Sequence, residues 1–158
     1  MNQTMEDRYG TLKAYRELRD QVMEILSDDD LDVRLGGATE TLGALCRELG
    51  EVQRSYIESF ETFRQDFSVR EDDPERTGSV AALAAWYAEL DAGLEAALER
   101  LSDDDIANRL IDRGGFEVPP PFQLDVFREA LLIFYGKVTV YLKAMAKPLP
   151  EQWQDWIG

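Results

Sequence analysis

The chain has 158 residues, a length at which one ordinary domain can bury its own hydrophobic core. Its 32 acidic and 17 basic residues give a formal net charge of −15, which opposes binding to nucleic-acid phosphates and anionic membrane surfaces. Histidine is absent, so a Ser-His-Asp triad, a Cys-His pair and every zinc site that needs an imidazole are excluded.

The N-terminal residues and the single cysteine bear on the cellular compartment. Residues 1–8 are polar and acidic, with no apolar signal stretch behind them, and no run of about 18 uncharged apolar residues occurs in the chain. Cys46 lies among leucines at helical spacing, which favours a small buried hydrophobe over a reactive thiol. We therefore expect a cytoplasmic protein with neither a membrane nor a nucleic acid as partner.

Helical periodicity predicts the first two long segments. The first helix is expected over residues 5–26, with Thr4 and Asp7 as a capping box and Ser27 with the following aspartates as its stop. The second is expected to begin after Thr39 as its cap. Its apolar residues recur at steps of three and four, the spacing of a bundle helix: Leu42, Leu45, Leu49, Val52, Tyr56, Phe60 and Phe63.

The second half of the chain repeats this pattern. Residues 68–78 are charged and contain Asp72-Asp73-Pro74, which predicts a surface loop, and Ser79 is expected to cap a third helix that continues to Leu101. The acidic run after Ser102 is expected to close that helix or cap a short turn. A stiff connector over 114–121 then leads to a fourth helix over 123–145, which Pro148 and Pro150 prevent from extending.

These elements predict an all-α protein in which residues 1–158 form a single four-helix bundle domain and 146–158 form its C-terminal tail. The tail carries Trp153 and Trp156. Packing of the tail against the bundle accounts for these tryptophans at least as well as a ligand site does.

Three stretches of sequence resemble one family. The run from Phe134 to Met145, followed by Ala146-Lys147-Pro148-Leu149-Pro150, is similar to the C-terminal signature of the DinB-like superfamily, in which a His-Arg-Gly-Gln run leads into Tyr-Leu-Arg and a Gly-Lys-Pro tail. Residues 49–56 resemble the second helix of that family, and residues 79–105 resemble its third helix with the acidic turn that follows. The resemblance implies a four-helix bundle.

The same resemblance implies a metal site that this chain has altered. Many members of the family hold a divalent metal with three histidines, as do related thiol-dependent transferases and isomerases. An ungapped placement puts those three ligand positions on Glu48, Ala130 and Phe134. A methyl group and a phenyl ring offer no lone pair, and metal affinity needs about three or four ligands. We expect that the metal site is lost and that no cofactor is bound.

Glu48 allows two interpretations. It lies beside the apolar stripe of the second helix, so it is either a solvated flank of that helix or a carboxylate lining the former metal cavity. Two acidic triplets, 28–30 and 103–105, resemble metal-binding runs but follow a serine directly after an apolar helix. They lack the glycine and the distal glutamate of a calcium loop, so we interpret them as helix stops or caps.

The fourth helix carries more apolar surface than a single buried face needs. Its inner face comprises Phe127, Leu131, Phe134, Val138 and Tyr141. A second line comprises Ile133, Val140 and Ala144, and such a line is usually covered by a tail or by another subunit. We expect a homodimer through this line, because the alternative cover, the tail with Trp153, Trp156 and Ile157, is short and carries two acids.

Two functional hypotheses follow. The first is a non-catalytic binding or interaction protein of the DinB-like type that has lost its metal site. The second is a hydrolase or transferase of the same type that works through carboxylates such as Glu48 with Mg²⁺ or Mn²⁺, ions that accept oxygen ligands. The residues name neither a ligand nor a substrate.

Overall fold

The computed structural model describes residues 1–157 and confirms an all-α protein. Four long helices dominate it: α1 (Gln3–Ile25), α2 (Leu42–Thr62), α4 (Val80–Arg100) and α6 (Pro120–Ala144). The shorter elements are α3 (Pro74–Thr77), α5 (Asp103–Asn108), β1 (Ile111–Asp112), β2 (Glu117–Val118) and α7 (Glu151–Trp156). A five-residue 3₁₀ turn, Asp28–Asp32, follows α1.

The four long helices form a bundle in which each helix packs against two others. Contacts between Arg8 and Asp125 at one end, and between Lys147 and the Ile25 carbonyl at the other, show that α1 and α6 run parallel. The pair Gln123–Ser59 at one end and Tyr141–Glu40 at the other shows that α2 and α6 run antiparallel. Gly50 lies beside Trp86 and Glu61 pairs with Arg100, so α2 and α4 run parallel. The resulting order is up-down-down-up, and it requires the segment between α2 and α4 to travel back along the bundle.

Apolar stripes at steps of three and four build the core, as the sequence predicts. Gly50 of α2 lies directly against the indole ring of Trp86 on α4, which allows these two helices to approach closely. Cys46 is fully buried, and burial raises the pKa of its thiol to about 12, so it remains protonated and packs as a small hydrophobe.

Helix starts differ from the sequence expectations in three places. Asn2, rather than Thr4, caps α1, and its side chain accepts a hydrogen bond from the Met5 amide at 3.1 Å. Thr41 rather than Thr39 caps α2, and its hydroxyl accepts from the Ala44 amide at 3.1 Å, while the Thr39 hydroxyl donates to the Gly36 carbonyl in the preceding turn. Helix α6 begins at Pro120, since proline is tolerated in a first helical turn, where its missing amide costs no hydrogen bond.

Segments expected to be irregular contain short elements. Residues 68–78 include the one-turn α3, which begins at Pro74 with Asp73 as its cap. The expected connector over 114–121 holds β2, which pairs antiparallel with β1 in the register Ile111 to Val118 and Asp112 to Glu117. Ser79 caps α4 as expected, with its side chain accepting from the Ala82 amide at 3.1 Å.

None of the helices described within residues 1–157 has the length and apolar content needed to cross a bilayer.

Candidate functional site

The three positions that the resemblance predicts as former metal-ligand positions lie together in space. Glu48 of α2 and Ala130 and Phe134 of α6 line one small groove between these two helices, with a volume of about 170 Å³. The rest of its lining is mostly apolar: Leu45, Leu49, Val52, Ile133 and Lys137. The antiparallel packing of α2 and α6 therefore brings residues about 85 positions apart into one site.

Glu48 lies at the rim of this groove and not in its interior. Its side chain is 58% exposed, and its Oε2 atom is 4.0 Å from the Nζ atom of Lys137. Water therefore solvates much of the carboxylate, and a lysine ammonium group lies beside it. A surface pair of this kind contributes little to stability.

The residues of the groove do not fit a divalent metal. Ala130 presents a methyl group, and Phe134 presents a nearly buried ring that packs edge-on against Tyr135 at 5.7 Å. Glu48 is thus the only one of the three with an oxygen donor, whereas a stable site needs about three or four ligands. Among residues 1–157, no group of three or more histidine, cysteine, aspartate or glutamate side chains is placed to hold a metal.

A larger cleft of about 640 Å³ adjoins the groove on the other side of Glu48. It lies between α2 and the returning segment after α2, and Phe67 and Arg70 line its far wall. Glu51 in this cleft accepts a hydrogen bond from the Glu71 amide at 3.0 Å. The Glu51 carboxylate therefore anchors the returning segment.

The second apolar line of α6 is open to solvent in the isolated chain. Ile133 and Val140 are 62% and 56% exposed, and Ala144 is also exposed. Gly136 lies on the same face, and no atom would lie within 4 Å of a Cβ added to it. The face thus offers two large apolar side chains on either side of a site where another helix can approach closely.

The tail packs on a different face of α6. The buried Trp153 ring contacts Tyr135 edge-on at 4.9 Å, and its Nε1 atom donates a hydrogen bond to the Thr139 hydroxyl at 2.9 Å. Trp156 packs edge-on against Tyr15 of α1 at 5.2 Å. Packing of the tail therefore accounts for both tryptophans, and the tail leaves Ile133 and Val140 uncovered.

One aspartate of each acidic triplet takes part in capping the start of a short helix. Ser102 and Asp105 form a capping box at the start of α5, and Ser27 and Asp30 form one at the 3₁₀ turn. The Asp30 carboxylate also forms an ion pair with Lys147, whose Nζ atom lies 2.8 Å from its Oδ2 atom. Burial opposes ionisation of Asp30, but its hydrogen bonds from Lys147 and Ser27 outweigh that effect and lower its pKa.

A buried ionic cluster lies between α1, α2 and α4, and sequence reasoning missed it. The Arg19 guanidinium, 1% exposed, donates to both carboxylate oxygens of Asp91, at 3.1 and 2.7 Å, and to Gln53 Oε1 at 3.2 Å. Arg16 Nη1 lies 3.0 Å from the same carboxylate. The available signal was the placement of Arg16 and Arg19 at helical spacing among the apolar positions of α1.

The ionisation of Asp91 suits this cluster to a structural role and not to proton transfer. Burial raises the pKa of Asp91, but hydrogen bonds from Arg19 and the charge of both arginines outweigh that effect and hold the pKa below its ordinary value. The carboxylate is therefore ionised and paired at neutral pH. A general base needs a pKa near the working pH, so Asp91 is poorly suited to proton transfer.

Comparisons with known proteins find relatives by sequence profile and by fold. The profile of the DinB superfamily matches residues 11–135. The fold is similar to the crystal structure of a DinB-like protein from Bacillus cereus ATCC 10987, with a TM-score of 0.77 and 18% identity, covering 95% of this chain and 98% of that chain. It is also similar to a DinB-like protein from Bacillus subtilis, with a TM-score of 0.66 and 17% identity, covering 94% and 96% of the two chains. No curated protein matches the sequence significantly.

Proposed function

The chain belongs to the DinB superfamily, and from that membership we propose that it is a non-catalytic, cytoplasmic binding protein that has lost the family's metal site. The observation that carries the proposal is the composition of the groove between α2 and α6. A carboxylate paired with Lys137, a methyl group and a phenyl ring occupy the three aligned positions. The methyl group and the phenyl ring provide apolar contact surface, and the carboxylate alone is not a set of metal ligands.

The partner we propose is a second copy of the chain, bound through the outer face of α6, without nucleic acid or membrane. An antiparallel crossing of two α6 helices near Gly136 places Ile133 of each copy against Val140 of the other. The same crossing brings Glu129 of one copy close to Lys143 of the other, so opposite charges flank the apolar centre. In this arrangement the apolar side chains of the two copies meet at the centre, and a pair of opposite charges lies on each side.

Light scattering at tens of micromolar protein tests this proposal. The wild type is expected to be a dimer, and the double variant Ile133→Glu with Val140→Glu is expected to be a monomer, because four carboxylates would face one another at the twofold axis. A matched control is Leu110→Glu with Phe116→Glu, which changes two exposed apolar residues that precede α6 and so lie outside its outer face. A monomeric wild type, or a double variant that remains dimeric, contradicts the proposal.

The second candidate function is an enzyme that uses carboxylates with Mg²⁺ or Mn²⁺. It is favoured by the placement of Glu48 and Glu51, one helical turn apart, on the wall of the same cleft. The engagement of Glu51 with the Glu71 amide and of Glu48 with Lys137 leaves this pair less available to a metal, so we rank it second.

A further inference from the structure

The β-hairpin fixes one arginine at the end of the bundle. Arg113 follows β1, and its backbone amide donates to the Phe116 carbonyl at 2.9 Å across the turn. Gly114, with φ of +80°, adopts the left-handed conformation that this tight turn requires. The backbone on both sides of Arg113 is therefore held in one conformation.

A buried polar network holds the Arg113 side chain. Its Nη1 atom donates to Gln123 Oε1 at 2.5 Å, and the Gln123 amide in turn donates to Ser59 Oγ at 2.8 Å and to Gln65 Oε1 at 2.5 Å. Gln123 and Ser59 are fully buried. Because their hydrogen bonds are satisfied within this network, the network fixes the direction of the guanidinium group.

Three aromatic rings surround that guanidinium. Its Cζ atom lies 5.6 Å from the ring centroid of Tyr56, 5.8 Å from that of Phe67 and 5.6 Å from that of Phe116. Cation–π attraction compensates part of the cost of burying the charge. Phe67 and Phe116 nevertheless leave 50% and 60% of their surface in water, so they form open walls beside the arginine.

Arg113 also lacks a carboxylate partner in a strongly acidic protein. Although the chain has 32 acidic residues, no carboxylate oxygen in the part that the structure describes lies within 4.0 Å of its guanidinium nitrogens. Arg70 is similar in this respect, and its guanidinium donates instead to the carbonyls of Phe67 and Val69 at 2.8 and 2.6 Å. Within the described residues, two cations with no carboxylate oxygen within ion-pair distance therefore lie close to Phe67.

We propose that Arg113, with Phe67 and Phe116, binds a small organic carboxylate that has a flat, apolar body. The guanidinium offers further N–H donors to the two carboxylate oxygens, as in an arginine–carboxylate fork. The exposed ring faces of Phe67 and Phe116 contact the flat body. This site includes none of Glu48, Ala130 and Phe134. A test of carboxylate binding is therefore independent of whether the metal site is lost.

Calorimetric titration with 2-naphthoate tests the site, with 2-naphthamide and 2-naphthylmethylammonium as neutral and cationic probes of the same shape. Binding of the carboxylate is expected to be tighter than that of the amide by about tenfold or more, because a charge-assisted hydrogen bond replaces a neutral one. The cationic probe is expected not to bind. Equal affinity for all three probes, or no binding of 2-naphthoate at millimolar concentration, overturns the proposal.

Two variants locate the binding. Phe116→Ala removes an exposed wall with little effect on folding and is expected to weaken 2-naphthoate binding about tenfold, whereas Phe122→Ala, at another half-exposed phenylalanine, is expected to leave it unchanged. Arg113→Gln is expected to abolish the preference for the anion. Unchanged binding in Phe116→Ala contradicts the proposal even if Arg113→Gln fails to fold. Light scattering of Phe116→Ala reports separately on the dimer, which this change should not affect.

Discussion

Arg19 of α1 and Asp91 of α4 form a two-pronged ion pair in the interior of the bundle, with both guanidinium η nitrogens donating to the carboxylate. Tyr87 covers the guanidinium from one side, with its ring centroid 4.6 Å from Cζ. The pair joins α1 to the antiparallel helix α4. Arg19 also donates to Asp20 at 2.9 Å, and Arg16 lies 3.0 Å from Asp91. Removal of either main partner therefore leaves the other charge largely buried and only partly compensated.

Asp91→Asn should therefore destabilise the fold strongly. The substitution keeps the size of the side chain but leaves Arg19 without its main counter-charge, which costs about 3 to 5 kcal/mol when such a pair is broken. The free energy of unfolding in urea measures the loss. Glu99→Gln is the matched control, since Glu99 is exposed on the same helix and its loss of charge should cost under about 0.5 kcal/mol. Similar small losses in both variants would contradict a stabilising role for the pair.

The same pair predicts a dependence of stability on pH. The pKa of Asp91 is lower in the folded chain than its ordinary value of 3.8, so its contribution is complete above about pH 5 and is lost as the pH falls through 3.8 toward the folded-state pKa. The difference in unfolding free energy between wild type and Asp91→Asn should be constant from pH 7 to about pH 5 and should shrink below about pH 4. A difference that stays constant down to pH 3 would show that Asp91 is not the group responsible.

Gly50→Ala should destabilise the contact between α2 and α4. An added Cβ would lie 2.2 Å from the Trp86 ring, so the indole or a helix has to move, which costs about 1 to 3 kcal/mol or more. The same substitution at Gly10 of α1, where the space is open, should stabilise the helix by about 0.5 to 1 kcal/mol. Urea denaturation of the two variants compares them directly, and a gain in stability at Gly50 would mean that the helices are farther apart than described.

Trp153→Ala should detach the tail from the bundle. The variant loses a fully buried indole and its hydrogen bond to Thr139, at a cost of about 3 to 5 kcal/mol. Trp156→Ala should cost much less, because that ring is about half exposed. Neither substitution should change the oligomeric state, since the tail lies away from Ile133 and Val140; a shift in mass by light scattering would place the tail in the interface.

The long helices were predictable because burial of one face imposes a period that a single sequence displays. Leu42, Leu45 and Leu49 show this period without reference to any neighbour in space. The hairpin was missed because each of its strands has two residues, too few to show alternation. The helix caps at Asn2 and Thr41 were missed by two residues, since several nearby polar side chains can cap and the surrounding turns decide which of them is free.

The positions of the candidate site residues could be predicted from the sequence, but the side chains that contact them could not. The similarity of α2 and α6 to the family placed Glu48, Ala130 and Phe134, and the structure brings those three positions together. The partners that determine their chemistry, such as Lys137 beside Glu48, depend on the rotation of the two helices against each other. The Arg113 site depends on contacts over long distances in sequence, with Tyr56 and Phe67, which local patterns do not encode.

The composition of the groove predicts that the wild type binds no metal and that a variant with three histidines in the groove does. The wild type should purify without stoichiometric Zn, Ni, Mn or Fe by elemental analysis, because carbon atoms replace two of the three aligned ligands; one metal ion per chain would contradict this. Mg²⁺ or Mn²⁺ should raise the melting temperature of wild type and Glu48→Ala equally, if at all, and a larger rise in the wild type would favour the carboxylate enzyme instead.

The triple variant Glu48→His, Ala130→His and Phe134→His should gain one Zn²⁺ or Ni²⁺ site per chain, since the three positions share one groove. Circular dichroism checks that the variant remains helical, and a folded triple variant that binds no metal would show that these positions are not the family's ligand positions.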